Sequence, residues 1–436
     1  MKEFQSIKDI LANPEEGRSV RVRGWIHRIR KSGKLIFAVV RNSSGIIQVT
    51  LFRDGGMDRE QFRLAKASLV ESSVVVEGTL TKDDRAQGGY EIQVTSFEVI
   101  GSAEKFPITK DQSDEFLLDN RHLWLRSRRM TAVLKIRSTI FNEIRNYFQD
   151  QGFYEVQSPM FQSGACEGGS TLFEVPYFDV KDKVYLTQSW QLYAEAMMFG
   201  LEKIYTISPA FRAEKSRTRR HLTEFWMAEV EGAWMGNADM MVHSEGLVYH
   251  LVQQVLEKNR PELEFLERDI DVLKEIELPF PRYPYAEILD MLRTKGIDLP
   301  WGADPGYTEE KALTEDLGTP IFITHFPREK GFYHRLDADD PDKKVVLCHD
   351  LLAPEGYGEI IGGGEREWKL DILLDRMKEF EMEPEQYEWY LDLRRYGSVP
   401  HSGFGLGIGR TVAWITGEEH IKNCIPFPRM MRRYTP

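Results

Sequence analysis

Five runs between residues 18 and 100 alternate apolar with polar positions and are rich in β-branched and aromatic residues: RSVRVRGWI, KLIFAVVR, GIIQVTLF, SSVVVEGTLT and YEIQVTSFEVI. That pattern predicts short strands, each with one face toward a core. Polar turns separate them, among them Arg41-Asn42-Ser43-Ser44-Gly45 and Gln87-Gly88-Gly89. A helical stretch near Arg59 to Ala67 follows the third run. Five strands with one such helix predict a small Greek-key barrel of the OB type over residues 1–103. Residues 104–130 carry Pro107, many charges and no sustained period, so they read as a connector.

From residue 130 the period changes. Val133, Ile136, Ile140, Ile144, Tyr147 and Phe148 fall near one face of a helix that ends before Gly152. It leads into FYEVQSP, a strand stopped by Pro159, and then into the strand-like runs KVYLT, KIYTIS and EFWMAEVEGAW. A helix near 245–256 follows, so strands and helices mix without strict βαβ alternation. The expected fold class is α+β: the OB-type barrel, then an antiparallel-sheet domain with helices over 131–436. Residues 258–345, with LPFPRYPY, a helix near 286–295 and the strand IFITHF, read as an insertion in that domain.

Composition narrows the function classes. The chain has 436 residues, 42% of them hydrophobic and 29% charged, as expected of a packed globular protein of two or three domains. Its net charge of −12 argues against indiscriminate coating of nucleic acid, although Arg21, Arg23, Arg28, Arg30, Lys31 and Lys34 make one strand pair locally basic. The three cysteines, Cys166, Cys348 and Cys424, form neither a CxxC motif nor a disulfide framework, which points to the reducing cytoplasm. No secretory leader and no long apolar run is present, so no membrane association is expected.

Neither GxxxxGK[ST] nor GxGxxG occurs, so a nucleotide site needs another design. FRAEKSRTRRHLTEF, residues 211–225, places Arg212, Arg217, Arg219, Arg220 and His221 in a loop between two strand-like segments. Arginines suit multidentate phosphate contacts, and Glu214 can accept from an amino group; from charge alone the segment reads first as a solvated basic turn. In HDLLAPEGYGEIIGGGERE, residues 349–367, Asp350 and Glu359 flank a turn. Two such acids suffice for Mg2+, which takes its other ligands from phosphates and water. GFGLGIGR, residues 403–410, combines glycines that allow close backbone approach with Arg410 at the start of the apolar helix TVAWIT.

In this order, behind a helix and Pro159, the three segments resemble the class II aminoacyl-tRNA synthetases of the aspartate, asparagine and lysine subgroup, and the resemblance covers nearly the whole chain. Motif 1 corresponds to about 131–159, motif 2 to about 205–231 and motif 3 to about 403–416. YLDLRRYGSVPHSGFGLG and IPFPR resemble the asparagine branch. In QSWQLYAEA, Ala194 stands where aspartate enzymes carry a lysine that binds the substrate.

The resemblance implies ATP and Mg2+, a tRNA specific for asparagine, asparagine itself and a homodimer built on motif 1. It makes Arg212 and Arg410 catalytic: Arg212 as the α-phosphate ligand, Arg410 closing an adenine sandwich with Phe225. Glu214, Arg220 and His221 become ATP contacts, and Asp350 and Glu359 the Mg2+ carboxylates. Glu167, Gln191, Glu229 and Arg366 would hold the amino acid, Glu229 at its α-ammonium and Arg366 at its side-chain oxygen, with the loop 164–170 closing over it. In the barrel, Phe37 would stack on an anticodon base while Gln48, Glu91 and Arg28 contact others; the pattern alone makes Phe37 equally a barrel-core residue. Trp190, Gly364, Glu365 and Gly409 depart from the family pattern around the active site. Two other outcomes stay open here: an aspartate-charging or relaxed enzyme, and a paralogue passing its adenylate to an acceptor other than tRNA or keeping only RNA binding.

Overall fold

The computed structural model describes residues 3–55, 57–166, 171–179, 181, 183–216 and 218–436. It divides into two compact units, one up to Leu117 and one from Leu118 onward.

In the first unit the five expected strands are β1 (Ser19–Ser32), β2 (Leu35–Asn42), β3 (Gly45–Phe52), β4 (Ser73–Lys82) and β5 (Tyr90–Gly101). They close into a barrel in the order β1-β2-β3-β5-β4, parallel only between β3 and β5. Alternation sends Val20, Val22, Ile26, Ile36, Ala38, Val40, Ile47 and Val49 into the core. A register shift between Ile26 and Arg28 turns Arg28 and Arg30 outward beside Val39 and Phe37. The helix Arg59–Ala67 is capped by Asp58, whose carboxylate accepts from the Glu60 and Gln61 amides, and its Phe62 and Ala65 pack on the barrel. A further short helix, Ile7–Ala12, adds Ile7 and Ile10 to that core. Within the stretch read as a connector lie two short helices, Asp114–Asp119 and Arg121–Trp124. One turn or so is too short for a hydrophobic period to register.

The second unit opens with the helix Arg128–Asp150, whose Ser127 side chain accepts from the Met130 amide. Val133, Ile136, Ile140, Ile144 and Phe148 are fully buried along one face, as the period predicts; each such aliphatic contributes roughly 1.5–3 kcal/mol. Strand β6 (Tyr154–Glu155) follows, then a small sheet of β7 (Phe161–Gln162), β8 (Glu174–Val175) and β9 (Val184–Leu186). The hairpin β10 (Lys203–Phe211) and β11 (Glu224–Ala233) carries the cationic loop between its arms. After the helix Asn237–Lys258 come β12 (Arg282–Pro284), β13 (Ile321–Thr324), β14 (Cys348–Ala353), β15 (Gly358–Glu365) and β16 (His401–Gly407). Eight strands form the main sheet in the order β12-β13-β14-β15-β16-β11-β10-β6. Strands β12 and β13, from the stretch 258–345, therefore extend the same sheet. The helices Arg128–Asp150, Asn237–Lys258 and Ile408–Thr416 contribute to one hydrophobic core with residues of this sheet.

Candidate active site

On the sheet, β11 lies between β10 and β16, and β16 pairs in turn with β15. Residues of the 212–223 loop, β11, β14, β15, β16 and the start of the Ile408–Thr416 helix line one cleft. It gathers Arg212, Glu214, Arg220, His221, Phe225, Gln191, Glu229, Asp350, Glu359, Arg366 and Arg410, which the chain scatters over some 220 positions. Glu167 and Arg217 lie outside the described residues.

At one end of the cleft, the Arg212 guanidinium lies 5.5 Å from the Phe225 ring. His221 Nε2 is 3.4 Å from Glu214, while its Nδ1 meets the Ser216 hydroxyl at 3.2 Å. Burial, and then the nearby Arg410 charge, hold the His221 imidazole below its usual pKa. Arg220 reaches away from the loop: it donates to Glu310 and to the Tyr357 carbonyl at 3.1 Å, and its guanidinium lies 5.2 Å from the Tyr307 ring. Glu310 also accepts the Glu359 amide at 2.6 Å, fastening loop, helix Tyr307–Thr314 and β15 together.

Arg410 donates to Glu359 Oε2 at 2.8 Å and to the Glu359 carbonyl at 3.0 Å. Its anionic partner thus comes from a neighbouring strand, where the resemblance leads one to expect an acid at the position of Gly409. Asp350 and Glu359 sit on paired strands, and a Cβ placed on Gly362 would lie 3.2 Å from Glu359 Oε1 and 3.4 Å from Asp350 Oδ1. The missing side chain leaves a small cradle facing two carboxylates, and that donor set fits Mg2+ with phosphate and water as its other ligands. Asp350 is pushed up by burial despite its contact with Lys330. Glu359 is buried too, but Arg410 and then Lys330 outweigh burial and hold it low. Among the described residues no three His, Cys, Asp or Glu side chains cluster as a metal cage.

At the opposite end, the Glu229 carboxylate accepts from the Ser189 hydroxyl and, at 3.1 Å, from the Trp190 amide. Gln191 donates to Glu195 at 3.2 Å. Trp190, which lines the cleft, is buried with Ala194, Met198, Ile204 and Ala233, so its side chain packs in one cluster with the alanine. Arg366 makes a two-pronged pair with Glu231, Nε to Oε1 at 3.2 Å and Nη2 to Oε2 at 3.0 Å. Both are almost wholly buried; burial lifts the Glu231 carboxyl, and its carboxylates Glu231 and Glu195 keep Arg366 firmly protonated. Behind them Glu195 accepts from Arg394, from Tyr390 at 2.7 Å and lies 3.1 Å from His401 Nε2. Gly403 lies opposite Glu231 across the β11–β16 ladder, where a Cβ would overlap the Glu231 carboxylate.

Glu231 is a cleft residue that the sequence analysis passed over. The signal was there: Glu231 lies two positions after Glu229 on a strand, so both project from one face. Lys330 and Glu310 carried no such signal, because they belong to 258–345 and reach the cleft only through tertiary packing.

In the barrel, Phe37 lies on the outer face, flanked by the core positions Ile36 and Ala38, and pairs with Arg30 and Thr50. Gln48 lies opposite both Val39 and Glu91, and its amide donates to the Glu91 carboxylate at 2.7 Å. Arg28, opposite Val39, is exposed. Phe37, Gln48 and Arg28 thus share one outward surface, and Phe37 is not a core side chain; Glu91 is buried beneath Gln48, its carboxylate accepting from Gln48 and Thr50.

An OB barrel followed by a large sheet that is antiparallel except at the β6–β10 and β12–β13 pairings, where the expected all-antiparallel pattern gives way, with arginines facing acids in one sheet cleft, matches the class II synthetase architecture. Residues 113–431 match the family of tRNA synthetases class II (D, K and N), and residues 20–100 match the OB-fold nucleic acid binding domain. The chain belongs to the class II tRNA synthetase family of the aspartate, lysine and asparagine enzymes. It is 50% identical to the asparagine–tRNA ligase of Thermoplasma acidophilum over 99% of this chain and 100% of that one. It superposes on the asparaginyl-tRNA synthetase of Pyrococcus horikoshii complexed with asparaginyl-adenylate with a TM-score of 0.95 at 46% identity, covering all of both chains. The Entamoeba histolytica asparaginyl-tRNA synthetase, in complex with the same adenylate, gives 0.88 at 33% identity, again over the whole of both chains.

Proposed function

We propose that this chain is an ATP-dependent ligase that joins asparagine to its tRNA through an asparaginyl adenylate. The buried Glu231–Arg366 pair carries this reading. A carboxamide offers N–H donors and a carbonyl acceptor, and the pair offers the complement: carboxylate lone pairs from Glu231 and guanidinium N–H groups from Arg366. An aspartate side chain would bring a second carboxylate against Glu231, while the Arg366 charge is already matched. Ala194, buried against Trp190, supplies no further cation.

In the first step the asparagine carboxylate oxygen bonds to the α-phosphorus of ATP, and the bond to the β-phosphate oxygen breaks to release pyrophosphate. Both reactants are anionic, so Arg212 and Arg410 lower the barrier by placing fixed positive charge where negative charge concentrates. Asp350 and Glu359 would hold Mg2+, which when bound offsets phosphate charge. In the second step a terminal ribose hydroxyl of tRNA attacks the adenylate carbonyl; the ester forms, the hydroxyl proton is lost and AMP departs. Glu229 would receive the α-ammonium and Phe225 the adenine ring.

The outer barrel surface of Phe37, Gln48 and Arg28, with Glu91 beneath Gln48, is the proposed anticodon contact. A homodimer is supported by apolar side chains exposed near the β6 edge, Tyr154, Leu201 and Trp234. All three cysteines are buried and none is in a disulfide, in keeping with the cytoplasm, and among the described residues no helix is long and apolar enough to cross a membrane. The test is exchange of pyrophosphate into ATP across the amino acids. Exchange with asparagine and not aspartate is expected; exchange with aspartate at comparable kcat/KM would replace this reading with the relaxed enzyme.

A further inference from the structure

The stretch 258–345 delivers a cation into the cleft, Lys330, that the reaction outlined above does not use. Lys330, at the end of the short turn Arg328–Lys330, donates to Asp350 Oδ2 at 2.9 Å and to Asp304 Oδ1 at 2.7 Å. Its ammonium also lies 4.2 Å from the Phe326 ring. The two acids differ in surroundings: the Asp304 side chain is 68% exposed and that of Asp350 is 12% exposed. Lys330 therefore has a second, hydrated carboxylate to lean on when Asp350 is taken.

With Lys330 on Asp350 and Arg410 on Glu359, each carboxylate of the cradle already has a cation. A divalent ion arriving alone meets little net negative charge and must push the Lys330 ammonium aside. An ion arriving on a triphosphate brings its own anionic ligands and avoids most of that cost. We propose that Lys330 guards Asp350 against free divalent cations, so that the metal loads together with ATP rather than ahead of it.

The inference rests on the assignment of Asp350 and Glu359 as metal carboxylates, and the test separates the two. Mn2+ is titrated into the full-length protein without ATP, with the free ion followed by electron paramagnetic resonance. Lys330→Gln is expected to bind Mn2+ at least about tenfold more tightly than the parent. Asp304→Asn, an exposed change that leaves Lys330 only Asp350, is expected to weaken binding several-fold. Affinity in Lys330→Gln equal to or below the parent's overturns the guard. Should that variant not fold, equal or tighter binding by Asp304→Asn overturns it instead. A parent protein that, with a non-hydrolysable ATP analogue, holds Mn2+ no better than Asp350→Asn refutes the metal assignment itself.

Discussion

Glu231 and Arg366 show how much a single pair decides. Each is buried, each is the other's main partner, and the geometry survives only because Gly403 leaves room for the carboxylate. Breaking a buried pair by altering one partner typically costs about 3–5 kcal/mol, and a site built to hydrogen-bond a polar side chain loses orders of magnitude when one group is wrong. Glu231→Gln is therefore expected to lower kcat/KM for asparagine by at least about a hundredfold. The KM for ATP should move little, because the nucleotide end lies elsewhere in the cleft; exchange kinetics with each substrate varied in turn check both. The cationic loop was readable residue by residue, since its arginines announce a polyanion. The pairing of Arg366 with Glu231 was not, because 135 positions separate them and only the β11–β16–β15 ladder brings their strands close.

At the scale of elements, the helix Ile408–Thr416 starts with a glycine at its second position, and a Cβ there would meet nothing nearer than Ile421 at 4.0 Å. Gly409→Ala should thus stabilise the fold by up to about 1 kcal/mol through helix propensity, read as a higher denaturation midpoint. The helix Asn237–Lys258 carries His243, whose ring packs edge-on against Phe153 at 5.2 Å. Burial, and then the nearby Lys203 charge, depress its pKa in the folded state. The unfolded chain then binds more protons, so this contribution is complete above the ordinary histidine pKa of about 6.5 and is lost as the pH falls below it. Urea midpoints at about pH 7.5 and about pH 5.5 should differ more for the parent than for His243→Gln. The first helix shows in the sequence as the apolar run TVAWIT and the second as a helix near 245–256, but the second begins at Asn237, before the expected 245, because its first turns bury Met240 and Met241 among other residues of the core.

On the scale of the whole molecule, two compact units divide the labour, and a change in one should leave the chemistry of the other intact. Stacking of a base on an aromatic ring is worth roughly 1–3 kcal/mol, so Phe37→Ala should raise the KM for tRNA about five- to a hundredfold while tRNA-independent exchange is unaffected. Comparing aminoacylation with exchange on one preparation separates the two effects. By itself the sequence determined the barrel, the long helix, the cationic hairpin and the order of the three motifs. Those depend on period-two and helical patterning, turn residues and local charge, all of which operate between near neighbours in the chain. Only the tertiary structure decided which carboxylate faces Arg366, which partner Arg410 takes, and that β12 and β13 continue the main sheet and Lys330 reaches Asp350. Strand order and side-chain pairing across hundreds of positions are set by packing the whole core at once, and no local pattern encodes that.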